Sequence, residues 1–240
     1  MQPVHRPVRS FVRRQGRITP AQERAFASLM DRHGVPAEPE QVDLAALFGR
    51  AAPTLLEIGF GTGEALTAFA RAHPDWNALG IEVHQPGVGR LLNAIEKEAL
   101  THVRVHADDA VPFLATRLRP GQIDRIHVFF PDPWPKKRHQ KRRLIQPAFV
   151  ALLTRQLKPG GVLHLATDWE DYALQMADVL AGRPELINTS SDGPDIPRPS
   201  ERPLTRFEQR GQRLGHGVWD LCWRRAADGG ECAAHEQAGD

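Results

Sequence analysis

From residue 54 onward the chain alternates short apolar runs with stretches of helical period, and this alternation narrows the choice of folds more than any other feature. The apolar runs are residues 55–58, 78–83, 103–106, 126–130 and 162–166, and helical patterns follow at 63–71, 86–98, 111–118, 148–157 and 169–180. Runs this short and continuously apolar read as strands buried on both faces, each returned by a helix so that successive strands run parallel. The pattern predicts an α/β fold, a mostly parallel, doubly wound sheet with helices on both faces. A proline- and serine-rich stretch at 192–203 interrupts it before residues 217–224 resume as strand, expected to pair antiparallel at the sheet edge.

Ahead of the sheet, Thr19-Pro20 has the form of an N-cap followed by proline at the first helical position, and Phe26, Leu29 and Met30 share one face before Gly34 ends the helix. Residues 35–52 form a connection with a short helical stretch near 44–48. The expected organisation is a basic arm at 1–18, a single domain at 19–225 and a disordered tail at 226–240. A chain of 240 residues is long enough to bury a substantial core.

Net charge is only +2, so its distribution carries the information. Arg6, Arg9, Arg13, Arg14 and Arg17 stand in an N-terminal stretch without an acid, and positions 136–143 hold six Lys or Arg. Two local cationic patches on a mildly acidic remainder suit phosphate. Cys222 and Cys232 match no CxxC spacing, and the eleven histidines are scattered, so neither a disulfide framework nor a metal centre is expected. No apolar stretch reaches the ~18 residues a membrane span needs, and a cytoplasmic location is expected.

Between the first strand and its helix lies Glu57-Ile58-Gly59-Phe60-Gly61-Thr62-Gly63. Such a turn lets the backbone reverse tightly and approach a ligand. A dinucleotide fingerprint would read GxGxxG, with a pyrophosphate on the helix N-terminus. Here the spacing is GxGxG, Glu64 stands where the third glycine would be, and Glu57 precedes the loop. Negative charge favours a cationic ligand, and S-adenosylmethionine carries both a sulfonium and an ammonium. Glu82, ending the second strand, is placed for ribose hydroxyls, and Asp109, after the third, for the adenine amino group. The other reading of such acids, for Asp108 above all, is that they cap the next helix.

The fourth strand runs into Pro131-Asp132-Pro133-Trp134-Pro135-Lys136-Lys137-Arg138. Ligands of open parallel sheets bind beyond the carboxyl ends of the strands, so Asp132 is expected to face the donor, its direction limited by the flanking prolines. Trp134 either stacks on a base or packs against a neighbouring helix. The cations from Lys136 to Arg143 lack the intervening acids that stabilise a solvated helical face, which favours contact with phosphate.

The stretch from Phe129 through Pro131-Asp132-Pro133-Trp134 to Arg143 resembles the signature of bacterial tRNA (guanine-N7)-methyltransferases. So do Ala166-Thr167-Asp168-Trp169-Glu170-Asp171-Tyr172-Ala173, Arg202-Pro203-Leu204-Thr205-Arg206-Phe207-Glu208, the segment from Arg210-Gly211 to Trp219-Asp220-Leu221, and the opening Gly16-Arg17-Ile18-Thr19. The resemblance covers roughly residues 14–225. It implies a Rossmann-like S-adenosylmethionine-dependent methyltransferase fold and methylation of guanosine 46 in the tRNA variable loop. It further implies that Glu57, Gly59, Gly61, Gly63, Glu82, Asp109 and Asp132 hold the cofactor, with Asp132 as the active-site acid. Lys136, Asp168, Thr205, Arg206, Phe207 and Glu208 would bind the guanosine, and Arg138, Lys141, Arg142 and Arg143 would grip RNA. Arg206 departs from the family's usual lysine, which changes donor geometry at that contact.

The chemistry needs no general base, because guanine N7 carries a free lone pair. Asp132 stabilises the charge that appears on guanine, or else Asp132, Asp168 or Glu208 accepts from the N1-H and amino edge and aims N7. Two rival readings are an amino-group methyltransferase acting on nucleic acid and a noncatalytic RNA-binding module. Monomer and homodimer are both compatible with the sequence.

Overall fold

The computed structural model describes residues 18–37, 41–213, 215 and 217–227. The expected basic arm apart from Ile18, and the expected tail apart from Ala226 and Ala227, lie outside the described residues. In chain order the elements are α1 (Pro20–His33), α2 (Leu44–Phe48), β1 (Thr54–Ile58), α3 (Glu64–Ala72), β2 (Asn77–Ile81), α4 (Gln85–Lys97) and β3 (Val103–His106). There follow α5 (Ala110–Pro112), continuing as a π turn over Phe113–Arg117, then β4 (Ile123–Phe129) and a 3-10 helix over Lys137–Arg142. The chain ends with α6 (Pro147–Gln156), β5 (Leu157–Thr167), α7 (Glu170–Ala181), β6 (Leu186–Asn188), α8 (Arg206–Arg213) and β7 (Trp219–Arg225).

The strands form one sheet in the order β3-β2-β1-β4-β5-β7-β6, with β1 to β5 parallel and β7 antiparallel to both β5 and β6. All five residues of β1 and of β2 are buried, as strands covered on both faces must be. One core packs Leu56, Ile58, Ile126, Val128 and Leu165 against α6 and α7; the other packs Leu55, Ala78, Val103 and Val105 against α3 and α4. Successive residues of one strand thus feed opposite layers, which is the doubly wound arrangement.

Thr19 caps α1 as its sequence predicts: its hydroxyl accepts the Gln22 N–H at 3.3 Å, and the Gln22 amide oxygen accepts the Thr19 N–H at 2.9 Å. The structure departs from the sequence pattern at three elements. β7 pairs antiparallel as expected but is not outermost, because β6, which the pattern does not reveal, adds a further strand beyond it. β5 begins at Leu157, ahead of the apolar run, where Leu157 pairs with Ile123 across an irregular register. The helix expected at 111–118 widens into the π turn, where the buried Gln156 amide donates to the Leu114 carbonyl at 2.8 Å and competes with the helical N–H for that acceptor.

Candidate active site

After Ile58 the backbone enters α3 through Gly59, Gly61 and Gly63, with φ of 74°, 55° and 80°. Left-handed backbone costs an L side chain about 1–2 kcal/mol at each such position, so glycine is what makes this turn possible here. Two neighbours hold it. Glu82, just beyond β2, accepts the Gly61 N–H at 2.8 Å through Oε2, while its Oε1 accepts those of Val83 at 2.7 Å and His84 at 2.9 Å. Gly87, in the first turn of α4, lies against Gly61: a Cβ there would stand 2.1 Å from the Gly61 carbonyl oxygen. Gly87 lies outside the glycine-turn motif; its signal in the sequence is a glycine in an amphipathic helix immediately after proline.

Beyond the carboxyl ends of β1 to β4 opens a cavity of about 570 Å³. It lies where the strand order reverses, β1 leading outward to β2 and β3, and β4 leading to β5. Gly59, Glu82, Asp108, Asp109 and the loop 130–135, Asp132 included, form its wall. Glu82, Asp109 and Asp132, from three different strand ends, are therefore brought together as the sequence predicts. Asp109 also caps α5, its Oδ1 accepting the Val111 N–H at 3.0 Å, so capping and cavity lining are not alternatives at this residue.

Glu57 stands beneath the turn rather than in the cavity wall. It is 3% exposed, and its Oε2 is buried without a hydrogen-bond partner among the described residues. Burial first, and then the charge of Glu82, raise its carboxyl from the ordinary 4.5 to about 8. Glu57 is therefore mostly neutral at pH 7.

The opposite wall is the loop after β4. Phe130 and Trp134 adopt φ of 51° and 43°, left-handed values uncommon for residues with side chains. Trp134 lines the cavity and is also packed by its own segment, with the Arg142 guanidinium 5.0 Å from its ring centroid and His139 edge-on at 5.9 Å. Lys136, Lys137, Arg138 and Lys141 are exposed, forming a cationic ridge on and before the 3-10 helix.

Arg143 corrects the expectation that it grips RNA. Its side chain is 1% exposed and turned inward, donating to the Pro133 carbonyl and to Gln175 and Asp171 of α7. Glu208 also departs from its expected place. Its two oxygens accept from Arg202 at 2.6 and 2.9 Å, and Arg202 donates in turn to Asp220 at 2.6 and 2.8 Å. Burial opposes the charge on Asp220, yet hydrogen bonds from His164 and Arg202 hold its carboxyl below the usual range. Glu208 is thus part of a buried ion cluster that docks the start of α8 on β7, rather than a free carboxylate on the cavity wall.

Asp168 follows β5 directly and is half-buried, while Thr205 precedes α8 and its hydroxyl accepts the Glu208 N–H at 3.3 Å. Neither residue, nor Lys136, lines the cavity. Arg206 and Phe207 open α8, and their side chains lie outside what is described.

Residues 51–221 match the family described as "Putative methyltransferase". The tRNA (guanine-N(7)-)-methyltransferase of Nitrosospira multiformis is 56% identical over 221 residues, covering 92% of this chain and 96% of the relative. That of Xanthomonas axonopodis pv. citri is 54% identical over 232 residues, covering 97% and 89%. Among solved structures, the 16S rRNA methyltransferase KamB superposes with a TM-score of 0.58 at 16% identity, covering 81% of this chain and 99% of its own. The 16S rRNA (adenine(1408)-N(1))-methyltransferase of Catenulisporales acidiphilia, with cosubstrate SAM, gives 0.53 at 17% identity, covering 80% and 95%. At that identity the structures establish a shared fold, that of Rossmann-like methyltransferases. The sequence relatives are specific, and this chain belongs to the tRNA (guanine-N7)-methyltransferase family.

Proposed function

We propose that the protein methylates guanine N7 in tRNA, at guanosine 46 of the variable loop, with S-adenosylmethionine as donor. The observation that carries the reading is the cavity at the switch point, with Glu82 and Asp109 on one wall and Asp132 on the other. The names of the relatives support the acceptor atom and the tRNA.

The residues present fit the donor. The cavity is large enough for a nucleoside with an amino-acid tail, its rim is acidic, and the buried, unpartnered Oε2 of Glu57 lies beneath the turn. When bound, S-adenosylmethionine supplies an electrophilic methyl group on a positively charged sulfur. Glu82 and Asp109 hold its sugar and base, and the glycine turn lets the backbone approach it closely. Asp132, fixed between two prolines, meets the positive charge that develops on the guanine ring as N7 acquires the methyl group. N7 has its lone pair free, so no side chain need remove a proton. The exposed cations Lys136, Arg138 and Lys141, with Arg142, hold the tRNA backbone while the guanine is presented. Catalysis on this reading is positioning and electrostatics.

The deciding experiment is methyl transfer from labelled S-adenosylmethionine to unmodified bulk tRNA, followed by identification of the product nucleoside and its position. 7-Methylguanosine at position 46 is expected. A methylated exocyclic amine, or no incorporation by folded, donor-bound protein, would overturn the assignment.

A further inference from the structure

We infer that Arg143 is a positioning residue for this reaction: its buried guanidinium holds the left-handed loop that presents Asp132 to the cavity. The inference rests on the reading of Asp132 given above.

Half the residues of the loop 130–135 are proline. Pro131, Pro133 and Pro135 have no N–H to donate, so its carbonyl groups must provide most of the anchoring. At its start the Phe130 N–H donates to the Ala166 carbonyl at 2.8 Å. One residue past Asp132, the Pro133 carbonyl accepts the Arg143 Nε–H at 2.8 Å. Between and around these anchors, Phe130 and Trp134 hold left-handed backbone, a conformation that persists only where the surroundings over-determine it.

Arg143 is itself held from three further directions. Nη1 donates to Gln175 Oε1 at 2.6 Å, Nη2 donates to Asp171 Oδ2 at 2.5 Å, and the guanidinium carbon lies 4.7 Å from the Tyr172 ring centroid. Tyr172 and Gln175 also fasten the following segment, the Tyr172 hydroxyl accepting the Ile145 N–H at 3.0 Å and Gln175 Nε2 donating to the Ile145 carbonyl at 3.1 Å. All three α7 residues follow Asp168 within seven positions, so one planar fork links the loop bearing Asp132 to the helix that begins beyond β5. Arginine suits this and lysine does not, because only a rigid, multi-donor plane satisfies three acceptors in fixed directions while stacking on a ring.

The test is Arg143→Lys, assayed with S-adenosylmethionine and unmodified tRNA beside Asp132→Ala. A displacement of about 1 Å at a reacting centre costs on the order of 100-fold in rate, so kcat for Arg143→Lys should fall about 10- to 100-fold. KM for tRNA and the salt dependence of tRNA binding should stay as in the parent protein. Unchanged kcat would overturn the inference, and so would a raised KM with a flattened salt slope, which would put Arg143 on the RNA. Where Arg143→Lys does not fold, Asp171→Asn, at a side chain 63% exposed, reads the same split: a partial loss of kcat at constant KM supports the link, and an unaltered kcat refutes it. An active Asp132→Ala would remove the underlying reading, whereas an inactive Asp132→Ala beside a fully active Arg143→Lys would remove the present inference alone.

Discussion

Glu57 and the Arg202 cluster show two ways in which this fold handles a buried charge, one by neutralising it and one by pairing it. The folded carboxyl of Glu57 titrates near 8 against 4.5 ordinarily, so ionising it in the folded state is unfavourable. The cost begins as pH rises past the unfolded value and is complete above the folded one, so donor-free stability should decline between about pH 4.5 and 8. Glu57→Gln should flatten that decline, as measured by denaturant unfolding across the range. A cationic donor favours the ionised form, so binding at pH 7 should release a proton, detectable calorimetrically in buffers of different ionisation heat; no release would detach Glu57 from the donor. Arg202 is the opposite case, 2% exposed and paired with two carboxylates. Arg202→Met should leave Glu208 unpaired and Asp220 with His164 alone, and destabilise the protein by about 3–5 kcal/mol; a loss below about 1 kcal/mol would mean that water compensates them. Asp132, Glu82 and Asp109 were legible in the sequence because they sit at strand ends, where topology alone decides which way a ligand lies. The inward turn of Arg143 and Glu208 was not, since it depends on contacts with α7 and with Arg202, far from either residue's own motif.

Elements were read more securely than their limits. β1 and β2 are legible as apolar runs because burial on both faces leaves little polar alternation to confuse them. β6 escaped notice because a three-residue edge strand with an exposed Ile187 has neither period nor continuity. The 3-10 helix Lys137–Arg142 was seen only as a run of charge, and its structure separates that run into cations directed outward and Arg143 directed inward. Replacing Arg138, Lys141 and Arg142 together with alanine should lower the slope of log tRNA affinity against log salt by roughly one unit per cation, without changing donor affinity. Filter binding over a salt series checks this, and a slope equal to that of the parent would mean the ridge faces solvent. At the glycine turn, Gly87→Ala should weaken both donor binding and stability, the latter by about 1–3 kcal/mol, because its methyl group would be driven into the Gly61 carbonyl. A variant as stable as the parent, by thermal unfolding, would show that α4 can retreat freely.

Across the whole molecule, the cavity and the buried ion cluster occupy different parts of one sheet. The cavity draws on β1 to β4, whereas the cluster of His164, Arg202, Glu208 and Asp220 locks the β5–β7 side. Ligand at 100 times its Kd adds about 2.7 kcal/mol to stability. For a domain of this size S-adenosylmethionine should therefore raise the melting temperature by roughly 5–11 °C. Differential scanning fluorimetry with the donor alone measures it, and no shift at high donor concentration would mean that the folded protein does not bind the donor. The order β5-β7-β6 has a further consequence. Because β7 is wedged between two earlier strands, that margin cannot close until the chain has been made through residue 225. Every residue that lines the nucleoside-sized hollow is translated before Asp220, the residue that completes the clasp on Arg202. A chain broken short of residue 219 would therefore hold all of that lining and lack the clasp.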